Sequence, residues 1–410
     1  MGHHRSSSHW IVNQFAGTPE SGWGERHFFL SKPLVDKGER IVIISSSNNH
    51  MFSNDLKFKG LFAYRKYEGV EFLWFKLPPY NPKNITRFFS MFYFSLAMLL
   101  LPFIQFKIGR PKSIMLSSMS IFPLPILLLN KKILGVKKFI FEARDLWPLT
   151  PIHLMGISRK NPLIMLIGFL EKWAYKSADD IICLFEEAEP YISAISKKPE
   201  KFNWLPNGVS TGFLNDTSSM PKWIEQKLPD DKLIFCYAGT LGFANAMESL
   251  FDVLASDNDV LNDIFFLVVG DGYLKDDFEE KVKLKENVFF TGKIEKVAMP
   301  SIIKNIDVCF IAWHHSELYK YGVSANKYFD YFAASKPVLS AQTGIKDPVV
   351  KSGAGKVVPN TKDGILEGIR YFVNMNALGR KELGNRGYEY VIRNHVYDKL
   401  SKRIIQILNG

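Results

Sequence analysis

Short, continuous apolar runs separated by longer stretches of helical spacing constrain this chain more than any other feature. The first series is HWIVNQF (9–15), RIVIISS (40–46), VEFLWF (70–75), SIMLSS (113–118), KKFIFEA (137–143) and DDIICLF (179–185). The second is LIFCYAG (233–239), IFFLVVGDG (264–272), NVFFTG (287–292), IDVCFIA (306–312) and KPVLSA (336–341). A strand that reads as an unbroken apolar run is covered on both faces, which means a parallel sheet flanked by helices. Two such series predict an α/β chain of two Rossmann-like, doubly wound domains. A length of 410 residues suits two cores rather than one. Between the series, LPNGVS is followed by a polar stretch with Asn215, Asp216, Ser218, Ser219, Pro221 and Pro229. That stretch reads as a linker, so the first domain is expected over 1–205.

Composition narrows the function classes. Apolar residues make up 47% and charged residues 23%, a globular balance. The net charge of +11 favours anionic partners such as phosphates or acidic lipid. No basic run alternates with aromatics and no zinc-finger or RNP-like pattern occurs, so nucleic acid is not expected as a partner. Cys183, Cys236 and Cys309 each sit in an apolar run with no close spacing. Buried thiols, and neither disulfides nor a metal site, are the expectation. The opening MGHHRSSS lacks an apolar core and does not read as a signal peptide, and nothing is built on His3 or His4.

One segment departs from the soluble pattern. FFSMFYFSLAMLLLPFIQF (88–106) is uncharged throughout, preceded by Arg87 and followed by Lys107, Arg110 and Lys112. Its length would suit a span, but Pro102, Ser90, Ser95 and Gln105 interrupt it, and it lies between two strands of one expected sheet. A surface resting on anionic headgroups is the preferred reading, over buried helices and over a true span. IFPLPILLLNKK (121–132) also ends in lysines.

Open α/β sheets bind ligands beyond the carboxyl ends of their strands. After the first strand, AGTPESGWGERHF carries Gly22 and Gly24, either a plain turn or a loop whose amides approach a phosphate. The strand at 137–143 ends in EARDLWP, which crowds Glu142, Arg144 and Asp145 at one tip. These form a structural salt bridge or a polar cluster facing a cleft between domains. In the second half, Gly239 and Thr240 follow one strand, with Asn245 just beyond. Gly270 and Gly272 follow the next, and Gly292 ends a third. GVSANKYFDYFAASKPVL places Ser324, Ala325, Asn326 and Lys327 at a helix start, with Asp330 a turn later. Loop amides, a lysine and a helix N-terminus suit a diphosphate, and a carboxylate one turn on can take both ribose hydroxyls.

The order of NQFAGTPESGWGERHFFLSKPLV, FEARDLWP, LPNGVS, YAGTLGFANAMESL, VVGDGYLKDDF, VFFTG and YGVSANKYFDYFAASKPVL resembles the retaining GT-B glycosyltransferases of family 4. The resemblance covers nearly the whole chain, and is nearest to bacterial transferases of N-acetyl-fucosamine-type sugars in O-antigen or capsule assembly. It implies two domains facing a cleft, with 206–385 binding a UDP-sugar donor and a helix over 386–410 crossing back to the first domain. It implies no cofactor and no metal. Gly22 and Gly24 would approach the donor diphosphate, and Asp145, with Arg144 and Glu142, would face the sugar or acceptor. Lys327 and the loop Ser324–Asn326 would hold the diphosphate, Asp330 the ribose, and Gly292 the base. Thr240 and Asn245 stand where the family has Arg and Lys, and Gly322 stands where it has the first acid of its Glu-x7-Glu pair. Glu317 is a candidate substitute for that acid. A lipid-linked, polyprenyl diphosphate saccharide acceptor and a cytoplasmic, peripheral place on the inner membrane face complete the expectation. The rivals are a nucleotide-sugar epimerase of the same fold and an inactive membrane-associated scaffold. His314 and His315 read as a surface pair.

Overall fold

A computed structural model describes residues 7–410 except 50, 51, 53–55, 82–85, 119 and 120. His3 and His4 lie outside the described residues. The chain forms two compact units, one of Met1–Pro206 with Tyr397–Gly410 and the other of Asn207–Val396.

The first unit is built on eight strands: β1 Ser8–Val12, β2 Ile41–Ser46, β3 Phe62–Tyr67, β4 Val70–Phe75, β5 Pro111–Ser117, β6 Lys138–Ala143, β7 Asp180–Cys183 and β8 Phe202–Trp204. Their order is β3-β4-β2-β1-β5-β6-β7-β8, and every pairing is parallel except β3 with β4. Strand β3 was not foreseen because FAYRKY is half exposed and polar. It is joined to β4 by Glu68-Gly69, whose positive φ values of 46° and 87° fit a two-residue hairpin turn. Side-chain alternation splits the sheet into two faces. Ile11, Ile43, Met115, Ile140 and Ile182 share a core with the helices Arg26–Val35 and Tyr397–Asn409. Ser401 Oγ donates to Leu30 O at 2.7 Å, and Tyr397 stacks on Phe29 at 5.4 Å. The other face lies under the helices Thr86–Ala97, Leu101–Ile108, Leu124–Ile133 and Pro162–Ser177; Leu124–Ile133 packs on β5 and β6 and holds the first two, and Pro162–Ser177 packs on β6.

The second unit carries β9 Leu233–Ala238, β10 Ile264–Val269, β11 Val288–Gly292, β12 Val308–Ala312, β13 Val338–Ala341 and β14 Gly355–Val358, all parallel, in the order β11-β10-β9-β12-β13-β14. The stretch read as a linker is instead part of this unit. It forms the helices Thr211–Leu214 and Lys222–Glu225, and Met220 and Ile224 are buried in the core. The expected crossing helix also begins later. Helix Ala377–Asn394 stays on the second unit, burying Val391, and only Tyr397–Asn409 belongs to the first.

In both sheets the winding reverses beside the first strand, at β1/β5 and at β9/β12. The loops following those strands are therefore the places where side chains can gather without a crossing connection in the way.

Candidate active site

The tip of β9 carries the densest polar arrangement of the second unit. Gly239 has φ 155°, and its N–H donates to Val269 O at 2.8 Å. A Cβ here would stand 2.5 Å from Lys327 Cε, so the glycine is what lets the lysine stem cross the strand end. Gly270 is under a similar demand, since a Cβ on it would meet Gly239 O at 2.0 Å. Its N–H donates to Gly292 O at 3.0 Å, which pins the three neighbouring tips together. Gly272 lies as close to Leu241 O.

Lys327 comes second in the helix Asn326–Ala333. Its amino group donates to Tyr237 Oη at 2.9 Å and to Asn245 Oδ1 at 2.5 Å, and lies 4.4 Å from the Tyr237 ring centroid. Tyr237 Oη and Asn245 Nδ2 both donate to Thr240 O, at 2.7 and 2.8 Å. The result is a closed polar ring in which all of the lysine's partners are neutral. Burial, with no carboxylate to offset it, lowers the Lys327 pKa to about 7. No side chain caps the helix, so its first N–H groups and the positive end of its dipole accompany the lysine. Asp330, partly buried, follows one turn later. The preceding loop is tied down by Asn207, whose N–H donates to Ser324 Oγ at 3.0 Å and whose Nδ2 donates to Ser324 O at 2.7 Å.

Beside this ring stands an exposed aromatic pair. Phe243 stacks on His314 at 4.3 Å, and its N–H donates to Tyr273 Oη at 2.8 Å. His314 is thus engaged with the glycine loop, through Nε2 and Phe243 O, while His315 is exposed. Gly322 ends the turn Glu317–Tyr321 with φ 93°, a conformation that disfavours any side chain and accounts for the missing acid. The carboxylate of Glu317, the candidate substitute, is 70% exposed and 3.5 Å from Lys320.

In the first unit the tip of β6 divides its three charges between different tasks. Glu142 is fully buried, and both of its oxygens are claimed. Arg26 Nε donates to Oε1 at 3.0 Å, and His27 Nε2 meets Oε2 at 2.7 Å. Burial alone would raise its pKa, but Arg26, His27 and Arg144 hold it well below the ordinary value. Glu142 is therefore an anchor inside the fold rather than a group offered to a ligand, which corrects the sequence expectation. The same Arg26 ties down the end of the unit through Pro206 O and Leu205 O, at 2.6 and 2.7 Å.

Asp145 differs. It lines a narrow recess with Trp147, Met91, Phe141, Glu171 and Tyr175. Burial raises its pKa, partly offset by Arg144 and Arg87. Around it, Arg144 Nε, Arg87 Nε and Trp147 Nε1 are buried donors without a hydrogen-bond partner. Three unpaired donors around one carboxyl describe a place short of acceptor oxygens. Arg87, expected at lipid headgroups, is near enough to Asp145 to lower its pKa.

The Gly22–Gly24 loop is a turn. Both glycines have positive φ, 71° and 78°, and a Cβ on Gly24 would meet Phe15 O at 2.2 Å. The N–H of Gly22 is spent on Pro19 O, so Gly22 does not present its amide to a phosphate as expected. Sequence reasoning missed Tyr237, Arg26, His27 and the Phe243–His314–Tyr273 group. Tyr237 had a usable signal, since it is the one hydroxyl-bearing member of an otherwise apolar strand, two residues before the glycine.

Residues 232–374 match the family of group 1 glycosyl transferases. No curated protein matches the chain by sequence. Solved structures match over nearly its whole length. Sucrose-phosphate synthase from Thermosynechococcus elongatus aligns with a TM-score of 0.73 at 14% identity, covering 98% of each chain. HepE from Anabaena, in complex with UDP and glucose, aligns at 0.68 and 12%, covering 99% of this chain and 100% of its own. WaaG, a glycosyltransferase involved in lipopolysaccharide biosynthesis, aligns at 0.67 and 13%, covering 98% and 99%. The chain therefore has the two-unit α/β fold of the GT-B glycosyltransferases.

Proposed function

We propose that the chain transfers a sugar, an N-acetylated amino or deoxy sugar by preference, from a UDP-sugar to a lipid-linked saccharide. The observation that carries this reading is the neutral ring around Lys327. A desolvated amino group with only neutral partners, at an uncapped helix start, lacks an anion, and a diphosphate supplies one. Asp330 is placed in sequence to take the ribose, and Gly292 the base. The match of residues 232–374 to group 1 glycosyl transferases supports the same assignment. So do HepE with its bound UDP and glucose and a structure from E. coli with UDP-2-fluoro glucose.

On the first unit, Asp145 and the unpaired donors of Arg144, Arg87 and Trp147 are assigned to the acceptor. As the acceptor hydroxyl attacks the anomeric carbon, the sugar–phosphate bond breaks and the leaving diphosphate takes the hydroxyl proton, with retention. Lys327 and the helix dipole stabilise the charge that develops on that diphosphate. No metal and no cofactor are assigned. A polyprenyl diphosphate carrier, a role in O-antigen or capsule assembly and a cytoplasmic, peripheral position on the inner membrane face complete the proposal. Likeness to the lipopolysaccharide enzyme WaaG is its support.

A second reading has its own observation. Gly322 leaves the donor sugar without the family's acid, which suits an inactive scaffold that still binds nucleotide. Thermal shift with UDP, GDP, ADP and NAD, followed by turnover of a UDP-amino-sugar panel, separates the two. A ligand at 100 times its dissociation constant adds about 2.7 kcal/mol. Stabilisation by UDP with turnover supports transfer, and stabilisation with no turnover of any sugar supports the scaffold. No stabilisation by any nucleotide sinks both.

A further inference from the structure

The helices covering the second face of the first sheet are apolar on both sides. Helix Pro162–Ser177 buries Ile164, Ile167, Leu170 and Ala174, yet its opposite stripe exposes Met165, Phe169 and Trp173. The segment Thr86–Ile108 behaves alike: Met91, Phe94 and Met98 are buried, while Phe103 is 74% exposed and Phe92 and Phe106 more than half. Scattered exposed apolar residues are ordinary, but a second stripe on a helix already packed through its first is not.

The helices are neighbours. Met91 of one and Ile167 of the other, both buried, line the same recess. Helix Leu124–Ile133, with Leu129 and Ile133 exposed, is joined to the first by Asn130 Nδ2, which donates to Met98 O at 2.8 Å. Gln14 Nε2 donates to Ser90 Oγ at 2.9 Å, which ties Thr86–Ile108 to the end of β1, although its length and composition would suffice to cross a membrane.

Charge identifies the occupant. Lys107, Lys132, Lys172 and Lys176 are exposed on these helices. Their one acid, Glu171, is buried between the hydroxyls of Tyr175 and Tyr191, and its pKa is pushed up to about 8. The three helices thus carry no exposed carboxylate of their own, and the one at their edge, Asp179, is paired with Lys131 at 2.7 Å. A second copy meeting this face across a two-fold axis would set lysines against lysines. An anionic bilayer accepts both features, with rings at the acyl boundary and lysines reaching headgroups.

We infer that Thr86–Ile108, Leu124–Ile133 and Pro162–Ser177 form one docking face for an anionic bilayer, with Pro162–Ser177 an equal half of it. The inference rests on the proposed transfer only for its purpose, which is access to a lipid-borne acceptor.

The test is sedimentation of the full chain with vesicles of phosphatidylcholine alone or with one-third phosphatidylglycerol. The wild type should sediment with the anionic vesicles and far less with the neutral ones. Met165→Ser/Phe169→Ser/Trp173→Ser should lose about tenfold or more in partitioning, and Lys172→Glu/Lys176→Glu should lose about fivefold per lysine, with unchanged circular dichroism in both. Wild-type sedimentation of the serine variant would overturn the inference. So would a stable dimer in sedimentation velocity that the serine variant dissolves while vesicles capture neither protein. UDP thermal shift runs in parallel. Vesicle binding without a nucleotide response leaves the docking face standing and removes the transferase reading, and the reverse pattern does the opposite.

Discussion

Lys327 Nζ reaches Asn245 Oδ1 at 2.5 Å, which joins a helix start on one side of β9 to the glycine loop on the other. Both ends of that contact are held independently, Asn245 by Thr240 O and Lys327 by Tyr237 Oη. The amino group is therefore positioned before any ligand arrives, which lowers the ordering cost of binding.

Lys327→Ala should weaken UDP-sugar binding about 10- to 100-fold, since a charge-assisted hydrogen bond contributes about 1.5–3 kcal/mol. Calorimetric titration reads this, with circular dichroism to confirm the fold. Wild-type affinity in the variant would take the lysine out of the phosphate site.

Gly239→Ala tests the same geometry from the backbone. The added Cβ would sit 2.5 Å from Lys327 Cε on a residue with φ 155°. The lysine must shift, and nucleotide affinity should fall nearly as far as in Lys327→Ala. An alanine variant that binds normally would show that the lysine's position is not what the site depends on.

The pH dependence has a definite sign. Burial lowers the Lys327 pKa to about 7, and a bound diphosphate would raise it. Protonation is then coupled to binding, so affinity is highest below pH 7 and declines as pH rises above it, with proton uptake during binding. A UDP-sugar is the right probe because its diester diphosphate does not titrate there. Titrations in two buffers of different ionisation enthalpy measure the uptake, and a flat profile between pH 6 and 8.5 would contradict the assignment.

Glu142 governs stability rather than chemistry. Removing its charge in Glu142→Gln leaves Arg26 buried without its counter-ion, at a cost of about 3–5 kcal/mol. The native Glu142 pKa lies well below its ordinary value, so its contribution is present above the ordinary carboxylate range and lost as pH falls through the native pKa. His27, whose pKa burial lowers, acts in the same direction. Below pH 6.5 the unfolded chain takes up a proton there that the native one resists. Urea unfolding between pH 3 and 7 should show stability falling with acid, from His27 below pH 6.5 and from Glu142 below the ordinary carboxylate value of 4.5. A Glu142→Gln variant as stable as the wild type would refute the anchor.

Asp145→Asn should reduce transfer about 100-fold or more while leaving UDP affinity unchanged, because its neighbours are unpaired acceptor-side donors. Equal losses in both measurements would assign Asp145 to the fold.

Much of this was readable before any coordinates. Burial on both faces forces a parallel strand to be apolar throughout, so β4 and β9 announced themselves within a residue of their ends. Glycines at strand tips announced themselves too, because close backbone contacts such as Gly270 against Gly239 O admit no side chain. The antiparallel β3 did not, since an edge strand can be polar. The polar stretch after residue 205 looked like a linker because burial of Met220 and Ile224 depends on neighbours far away in sequence.

Local patterning determined the fold class, the strand tips and the residue types around Lys327, because backbone geometry at those positions dictates which side chains fit. Only the tertiary structure decided what each charge does. Glu142 and Asp145 stand three residues apart at one strand end, yet one is enclosed by Arg26 and His27 and the other lines a narrow recess. That difference arises from residues more than a hundred positions away, brought together by packing, and no spacing within EARDLWP contains it.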